Sequence, residues 1–314
     1  MRESGSTKSP SLLLVCAAFA AIYLIWGSTY LAIAVAIETI PPFLMAGVRF
    51  LIAGGIVYAW ARLGMKAERP TLVQWRSALI IGGLMLLGGN GGVVWSEQRV
   101  ASGVAAIIVA TVPIWVVLIN WLRPRGIRPA WADVVGVTLG FIGLLTLIDP
   151  TAVESVGKVD RIGVLVLALG SLSWSFGTIF AHQVQRPKSP FVSVGMEMLC
   201  GGALLTIAAG LHGDWRQFAI AKLSLDSVLA LLYLLFFGSV VAFTAYMWLL
   251  RVSTPSRVAT YAYVNPVVAV LLGWLFRSEP VSRRMVSAMI VILAGVIMIT
   301  TLGARARSSR LVEK

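Results

Sequence analysis

The chain contains 314 residues, of which 58% are hydrophobic and only 12% are charged, and its mean hydropathy is +0.88. Because soluble globular proteins carry about 25% charged residues, this composition excludes an ordinary soluble enzyme and a disordered protein. The formal net charge is +13, but the basic residues stand between apolar runs. That arrangement argues against nucleic-acid binding and is typical of the loops of a membrane protein.

Ten apolar runs follow one another along the chain, each close to the length of about 20 residues that a helix needs to cross a bilayer. The runs lack the alternation of a transmembrane strand, so the sequence predicts an all-α polytopic membrane protein with ten transmembrane helices. The predicted spans cover residues 12–34, 42–61, 72–95, 101–121, 131–148, 162–182, 190–211, 225–249, 257–276 and 283–302.

Apart from Arg49, the Lys and Arg residues lie in the loops and tails or near the ends of the predicted spans, and they are distributed unequally between the two sides of the membrane. The side that carries both termini has 17 of them, and the opposite side has 8. Because basic loops stay in the cytoplasm, we expect a cytoplasmic N-tail, residues 1–11, and a basic cytoplasmic C-tail, residues 303–314.

The first two predicted spans carry the first candidate site residues. Trp26 and Thr29 lie deep in the first span, where they either pack against neighbours or face a cavity. Arg49 lies well inside the second span, where a charge costs about 2.5–3.5 kcal/mol on insertion scales. Arg49 either binds substrate or has a structural role. Glu197 lies at the matching place in the seventh span and is its expected partner.

The third and fourth predicted spans add an amide, an acid and a proline. Asn90 stands in the glycine-rich stretch 88–92, so its amide either binds substrate or accompanies close helix packing. Glu97, at the outer end of the third span, is either a solvated acid or a proton-linked group. Pro113 removes a backbone donor in mid-span and predicts a hinge or cavity wall, and Trp115 lies nearby as a cavity candidate.

The second half of the chain contains matching candidates. Pro266 is the counterpart of Pro113, and three of the polar or aromatic candidates lie within about one turn of it. An aromatic, hydroxyl-lined chamber with few charges suits zwitterions with apolar side chains, or flat organic cations through cation–π contacts. The cavity candidates of this half are Trp174, Thr178, Tyr261, Tyr263 and Asn265.

The sequence offers no metal site, cofactor motif or enzyme motif. It has two histidines and two cysteines, and none of them has the spacing of metal ligands. It also lacks a nucleophile elbow and a Walker A motif, which argues against an intramembrane enzyme and against transport driven directly by ATP.

The two halves of the chain resemble each other. Pro113 and Pro266 are 153 residues apart, and so are Trp121 and Trp274, within similar surroundings. A duplication with five spans per half inserts the halves in opposite orientations, because five is odd. The sequence therefore predicts two inverted five-helix repeats, the architecture of many secondary transporters. These repeats are predicted over residues 12–150 and 161–302.

Five motifs stand in order along the chain: Ile25-Trp26-Gly27-Ser28-Thr29, the stretch 49–54, Gly238-Ser239, Asn265-Pro266 and Ser278-Glu279-Pro280. Together they resemble the EamA family of the drug/metabolite transporter superfamily. The resemblance covers about residues 12–302 and implies export of amino acids or related metabolites through a ten-helix inverted repeat. The first half has Arg125-Gly126 where the repeat would place an acid like Glu279, so Glu279 is discounted as a transport group.

The leading hypothesis is a multi-pass secondary transporter of the bacterial inner membrane that exports amino acids or related small metabolites by alternating access. Its expected partners are a small-molecule substrate and the lipid bilayer, with transport either proton-coupled or facilitated and a homodimer left open. An importer or exchanger of sugars, nucleotide-sugars or organic cations on the same scaffold is the alternative.

Overall fold

The computed structural model describes residues 11–123, 129–148, 160–253, 258 and 261–303. These ranges leave out residues 1–10 of the predicted N-tail, the connection at 149–159 between the two predicted repeats, and the C-tail from residue 304. The principal described helices are α1 (Leu12–Ala36), α2 (Pro42–Gly64), α3 (Leu72–Ser96), α4 (Ser102–Leu122), α5 (Trp131–Ile148), α6 (Arg161–Gln183), α7 (Pro190–His212), α8 (Leu225–Val252), α9 (Tyr261–Arg277) and α10 (Arg283–Ile297, extended by Met298–Gly303).

Seven of these helices are long and apolar enough to cross a membrane, judged by length and composition: α1 to α4 and α6 to α8. Helices α5 and α9 contain shorter apolar stretches, Trp131–Gly143 and Val264–Arg277. The prediction of an all-helical polytopic membrane protein is confirmed at this level. That α5, α9 and α10 also cross the membrane stays a prediction.

The helices begin where the sequence supplies caps. Thr71 and Gln74 form a reciprocal capping box at the start of α3, while the side chains of Ser224 and Ser282 cap α8 and α10. These caps satisfy backbone N–H groups that have no partner within the helix. Proline occupies the first position of both α2 and α7, where its missing N–H costs nothing.

The outer faces of the bundle are apolar. Large side chains such as Leu72 and Leu211 are more than four-fifths exposed, although a soluble protein would bury them. Exposed tryptophans lie near helix ends, among them Trp60, Trp131 and Trp274. Lipid-facing leucines and a belt of terminal tryptophans are the surface that a bilayer requires.

The largest helix–helix interface joins α2 to α7, which are counterparts in the two halves. Four glycines let the backbones approach so closely that an added Cβ at each would lie 2.8–3.0 Å from a backbone nitrogen of the facing helix. As the residue number rises along α2, the number of the facing residue on α7 falls, so the two helices run antiparallel. The contacts are Gly47 with Thr206, Leu51 with Gly202, Gly54 with Leu199 and Tyr58 with Gly195.

The second-largest interface joins another pair of counterparts, α5 and α10. Gly136 lies against Gly295, whereas Gly143, further along α5, lies against Ala288 and Ile292. These helices are therefore antiparallel as well. Small residues at helix contacts are common in membranes, where close backbone packing replaces the hydrophobic drive of water.

Helices α3 and α8 each contain a π-helical segment at equivalent places in the two halves. The segments are Gly82–Asn90 and Leu234–Phe243, and their first residues are 152 positions apart. Within the segment of α8 the Ser239 hydroxyl also donates to the Leu234 carbonyl, 3.2 Å away. A π-helical turn widens the helix and is frequent at functional sites. Both segments lie beside a central cavity.

Candidate substrate chamber

A cavity lies between the halves, and we call it the chamber. It contains about 680 Å³ not filled by protein atoms, and its lining comes from helices of both halves. The sequence candidates that line it are Trp26, Thr29, Arg49, Asn90, Trp174, Tyr261 and Asn265.

An aromatic cluster forms one wall of the chamber. The rings of Trp26 and Trp174 meet edge to face with centroids 5.8 Å apart, and Trp26 also lies 5.3 Å from Tyr261. Behind them Tyr246 contacts all three rings, at 4.9 Å from Trp26 and 5.9 Å from the other two. Such packing fixes the orientation of each ring. The wall is therefore rigid and apolar, although it carries polar ring atoms.

Arg49 is the charged residue among the described residues that line the chamber. Its side chain is 3% exposed, its Nε donates to the Ser239 hydroxyl at 2.6 Å, and its guanidinium carbon lies 4.6 Å from the centre of the Phe50 ring. Its Nη1 is buried and has no hydrogen-bond partner. A buried donor without a partner costs free energy, and more if it is charged. The position is therefore suited to an anionic group.

Asn90 ends the π-helical segment of α3 and presents a free acceptor. Its Oδ1 is buried without a hydrogen-bond partner. The surrounding glycines pack against α6: Gly89 against Trp174 and Gly92 against Gly170 and the Val166 carbonyl. Close helix packing and an amide that lines the chamber therefore occur together, and substrate binding by this amide stays a prediction.

Asn265 lines the chamber, but its amide nitrogen donates hydrogen bonds to backbone carbonyls of the protein. In the orientation that satisfies its surroundings, the nitrogen donates to the carbonyls of Tyr23 at 3.0 Å, Tyr261 at 3.2 Å and Ile22 at 3.3 Å. Two of these carbonyls belong to the π-helical segment of α1, Ala21–Ile25. The side chain therefore ties α9 to α1 at the chamber.

The two predicted hinge prolines differ in their surroundings. α4 is interrupted at 110–111, and Pro113 lies in the first turn after the break. The buried carbonyl of Val112 accepts from the Ser175 hydroxyl at 3.2 Å. Pro266 instead lies within the continuous helix α9. A hinge at either proline stays a prediction.

Four other sequence candidates lie outside the chamber lining or beyond the described side chains. Trp115 donates from Nε1 to Thr111 at 3.2 Å and packs edge to face on Phe141. Thr178 shares a 3.0 Å hydrogen bond with the Tyr246 hydroxyl and supports the aromatic wall from behind. The side chain of Tyr263 is outside the described part of the chain.

The fourth is Glu197, which is 1% exposed and does not reach Arg49. Its Oε1 accepts from the Ser193 hydroxyl one turn earlier, at 2.8 Å, and its Oε2 has no hydrogen-bond partner. The structure thus places Arg49 and Glu197 each in contact with a serine hydroxyl and not with each other.

Sequence reasoning missed several residues that line or support the chamber. Ser239 and Gly238 were noted only as part of a family motif, yet Ser239 binds Arg49 and the Gly238 carbonyl accepts from Trp26 Nε1 at 3.2 Å. Tyr30, Phe50 and Phe243 also line the chamber. The sequence signal was weak, a serine beside a glycine in mid-span, because a helical serine can satisfy its hydroxyl on its own backbone.

A helical membrane protein whose halves enclose a central chamber through antiparallel counterpart helices has the architecture of a secondary transporter. The comparisons agree: the model of the EamA-like transporter family matches residues 12–148 and 161–301. The chain belongs to this family, and it is accordingly a transporter and not an enzyme. The two matched segments also support the duplication of the halves.

Individual relatives show how far the similarity extends. The chain is 39% identical over 293 residues to the inner membrane transporter YedA of Escherichia coli (strain K12), covering 92% of this chain and 91% of YedA. It is 25% identical over 312 residues to the transporter YvbV of Bacillus subtilis (strain 168), covering 96% and 94%. A protein of known crystal structure shares the fold, with a TM-score of 0.66, 21% identity and coverage of 94% and 99%.

Proposed function

We propose that this chain is a secondary transporter of the bacterial inner membrane that exports amino acids or related small metabolites by alternating access. The family assignment and the chamber between the halves support this proposal. YedA is an inner membrane transporter, which supports the same location here. The observation that carries the choice of substrate is the buried Arg49 guanidinium, whose Nη1 lacks a partner.

The proposal includes ten transmembrane helices in two inverted repeats, with both termini in the cytoplasm. Antiparallel packing of α2 on α7 and of α5 on α10 supports the inversion, because counterpart helices that oppose each other belong to oppositely oriented halves. The excess of basic residues on the side of the termini, 17 against 8, supports the orientation.

The chamber offers separate places for the three parts of an apolar amino acid. A carboxylate would bind the Arg49 guanidinium through charge-assisted hydrogen bonds. The Asn90 Oδ1 would accept a hydrogen bond from the ammonium group, and the side chain would lie against the aromatic wall. The substrate class that this arrangement favours is a zwitterion with an apolar or aromatic side chain.

The other substrates of this scaffold fit less well. Nucleotide-sugars carry phosphate charges, yet among the described residues that line the chamber Arg49 is the only charged one. An organic cation would be repelled by that same guanidinium. Both classes are outcomes that the following experiment can detect.

The test is metabolite profiling of medium and cytosol in cells that lack the gene and express wild type, Arg49→Leu, Arg49→Lys or Arg76→Leu. Arg76 is an exposed arginine near the start of α3 and serves as the matched control. Loss of a charged hydrogen bond of about 1.5–3 kcal/mol predicts roughly a tenfold to hundredfold fall in export for Arg49→Leu. Arg49→Lys keeps the charge but not the planar donor geometry, so export should fall less.

We expect wild type and Arg76→Leu to raise extracellular apolar or aromatic amino acids. The substrate assignment fails if Arg49→Leu exports them as well as wild type does. It also fails if wild type exports sugars, nucleotide-sugars or organic cations instead.

A further inference from the structure

A second cavity opens beside the ends of α1, α3 and α9, and we call it the vestibule. It contains about 1060 Å³ not filled by protein atoms. In the orientation proposed above it lies on the periplasmic side. Its charged lining residues are Glu38, Glu97, Arg99, Arg277 and Glu279.

Glu97 differs from the other acids of the vestibule because it is buried and lacks a partner. The residue follows α3 directly and is 8% exposed. Neither Oε1 nor Oε2 accepts a hydrogen bond within the described structure. An ionised carboxylate needs hydrogen bonds or a paired cation when it leaves water, so this site favours the neutral acid.

The neighbouring charges are already engaged elsewhere. Glu279 accepts hydrogen bonds at the start of α4, from the Ser102 hydroxyl at 2.8 Å and from the backbone N–H groups of Ser102 and Gly103 at 3.2 and 3.3 Å. Arg277 forms an ion pair with Glu38. Neither group makes a direct contact that would hold the charge of an ionised Glu97.

The electrostatics agree with this geometry. Burial raises the pKa of Glu97 well above its ordinary value, the charge of Glu279 raises this pKa further, and Arg277 lowers it. Tyr30, on α1, is another titratable group close enough to interact electrostatically with Glu97. Arg99, two residues along the chain, is engaged in an ion pair of its own.

Glu97 lies one helical turn from the chamber. Its backbone N–H donates to the carbonyl of Val93, which lines the chamber, at 3.0 Å. On α1, Tyr30 lines the chamber and Ala34, about one turn later, lines the vestibule. A change in the packing of these two helices would therefore reach both cavities.

We propose that Glu97 is the proton-binding group that couples transport to the proton gradient. One carboxyl oxygen takes a proton from vestibule water in one conformation and releases it to water on the cytoplasmic side in the other, and no other covalent bond changes. The neutral acid belongs to the conformation described here, and the carboxylate belongs to one in which water reaches it. Because the two conformations differ in proton affinity, a proton gradient shifts their populations. This inference rests on the transport function proposed above.

The first measurement needs no substrate. Infrared difference spectroscopy on the full chain in nanodiscs follows the protonated carboxyl signal as the pH rises. Wild type should keep a protonated carboxyl beyond the ordinary glutamate range, about pH 4.3. Glu97→Gln should lose the Glu97 component of that signal and keep the component of the buried Glu197, whereas Glu68→Gln, an exposed control paired with Lys188, should retain both. A signal that is absent from wild type or unchanged in Glu97→Gln overturns the proposal.

The second measurement uses proteoliposomes with a mixture of radiolabelled apolar and aromatic amino acids as the probe. For one proton exchanged per substrate, each unit of pH gradient supports up to about tenfold accumulation in wild type. Glu97→Gln should exchange the probe without responding to the gradient. Probe transport by wild type that ignores the gradient overturns the coupling. Absence of any probe transport contradicts the proposed function, while the spectroscopic result still decides whether Glu97 binds the proton.

Discussion

The Arg49 guanidinium and the Glu197 carboxyl are each held by a serine hydroxyl rather than by each other. The register between α2 and α7 explains their separation. Gly47 faces Thr206 and Gly54 faces Leu199, so Arg49 is level with residue 204, seven positions from Glu197. At 1.5 Å per residue this is about 10 Å along the interface. Each residue lies seven positions after the proline that begins its helix, and the two antiparallel helices begin at opposite faces of the bundle. The two charges therefore lie on either side of the middle of the bundle.

This separation predicts that Arg49→Leu and Glu197→Leu act independently on stability. Groups that share no partner and lie this far apart add within about 0.3–0.5 kcal/mol. A double-mutant cycle on the apparent free energy of unfolding in detergent measures the difference. Recovery of stability in the double variant beyond that range would contradict the separation and indicate a direct ion pair, because stranding one partner of a buried pair costs about 3–5 kcal/mol.

The sequence could predict the site residues that place a charged or amide side chain deep inside an apolar span. Arg49 and Asn90 stand out because a charge or amide in mid-span needs a reason. Ser239, which binds Arg49, does not stand out, because a serine in a helix commonly bonds its own backbone. Thr178 and Trp115 were equally plausible from spacing alone, and only the tertiary packing places them behind the chamber lining.

At the scale of the helix, close packing between counterparts predicts a contrast between two adjacent glycines of α2. A Cβ at Gly54 would lie 2.8 Å from Leu199 N and Met198 Cβ, whereas a Cβ at Gly55 would meet nothing within 4 Å. Overpacking typically costs about 1–3 kcal/mol, so Gly54→Ala should lower the apparent melting temperature. Gly55→Ala should leave it unchanged or raise it, because alanine favours helix by up to about 1 kcal/mol.

Thermal unfolding of both variants in the same detergent provides the comparison, with expression level as a second readout. Equal melting temperatures for the two variants would contradict the contact between α2 and α7. The pair is a sharp test because both substitutions add one methyl group to neighbouring positions of one helix.

The helices themselves follow from apolar run length and from caps, which is why the predicted and observed bounds differ by only a few residues for most helices. The π-helical segments were not predicted. The wider turn of a π-helix has no signature in the amino-acid composition. Its carbonyls can bond to side chains of other helices, as the Gly238 carbonyl does by accepting from Trp26 Nε1. The chamber arises at these segments, so the part of the site hardest to predict is the local backbone that shapes it.

At the scale of the whole molecule, the duplication and the charge distribution lead to one prediction about topology. Antiparallel packing of α2 on α7 and of α5 on α10 requires opposite insertion of the halves if the helices cross the membrane. Reporter fusions after Lys314 and within the 149–159 connection should therefore report opposite sides, with the C-terminus cytoplasmic. A fusion at Lys66, between α2 and α3, serves as a control and should agree with the C-terminus. If the connection and the C-terminus report the same side, the halves are not inverted, and the vestibule cannot be assigned to the periplasm by this argument.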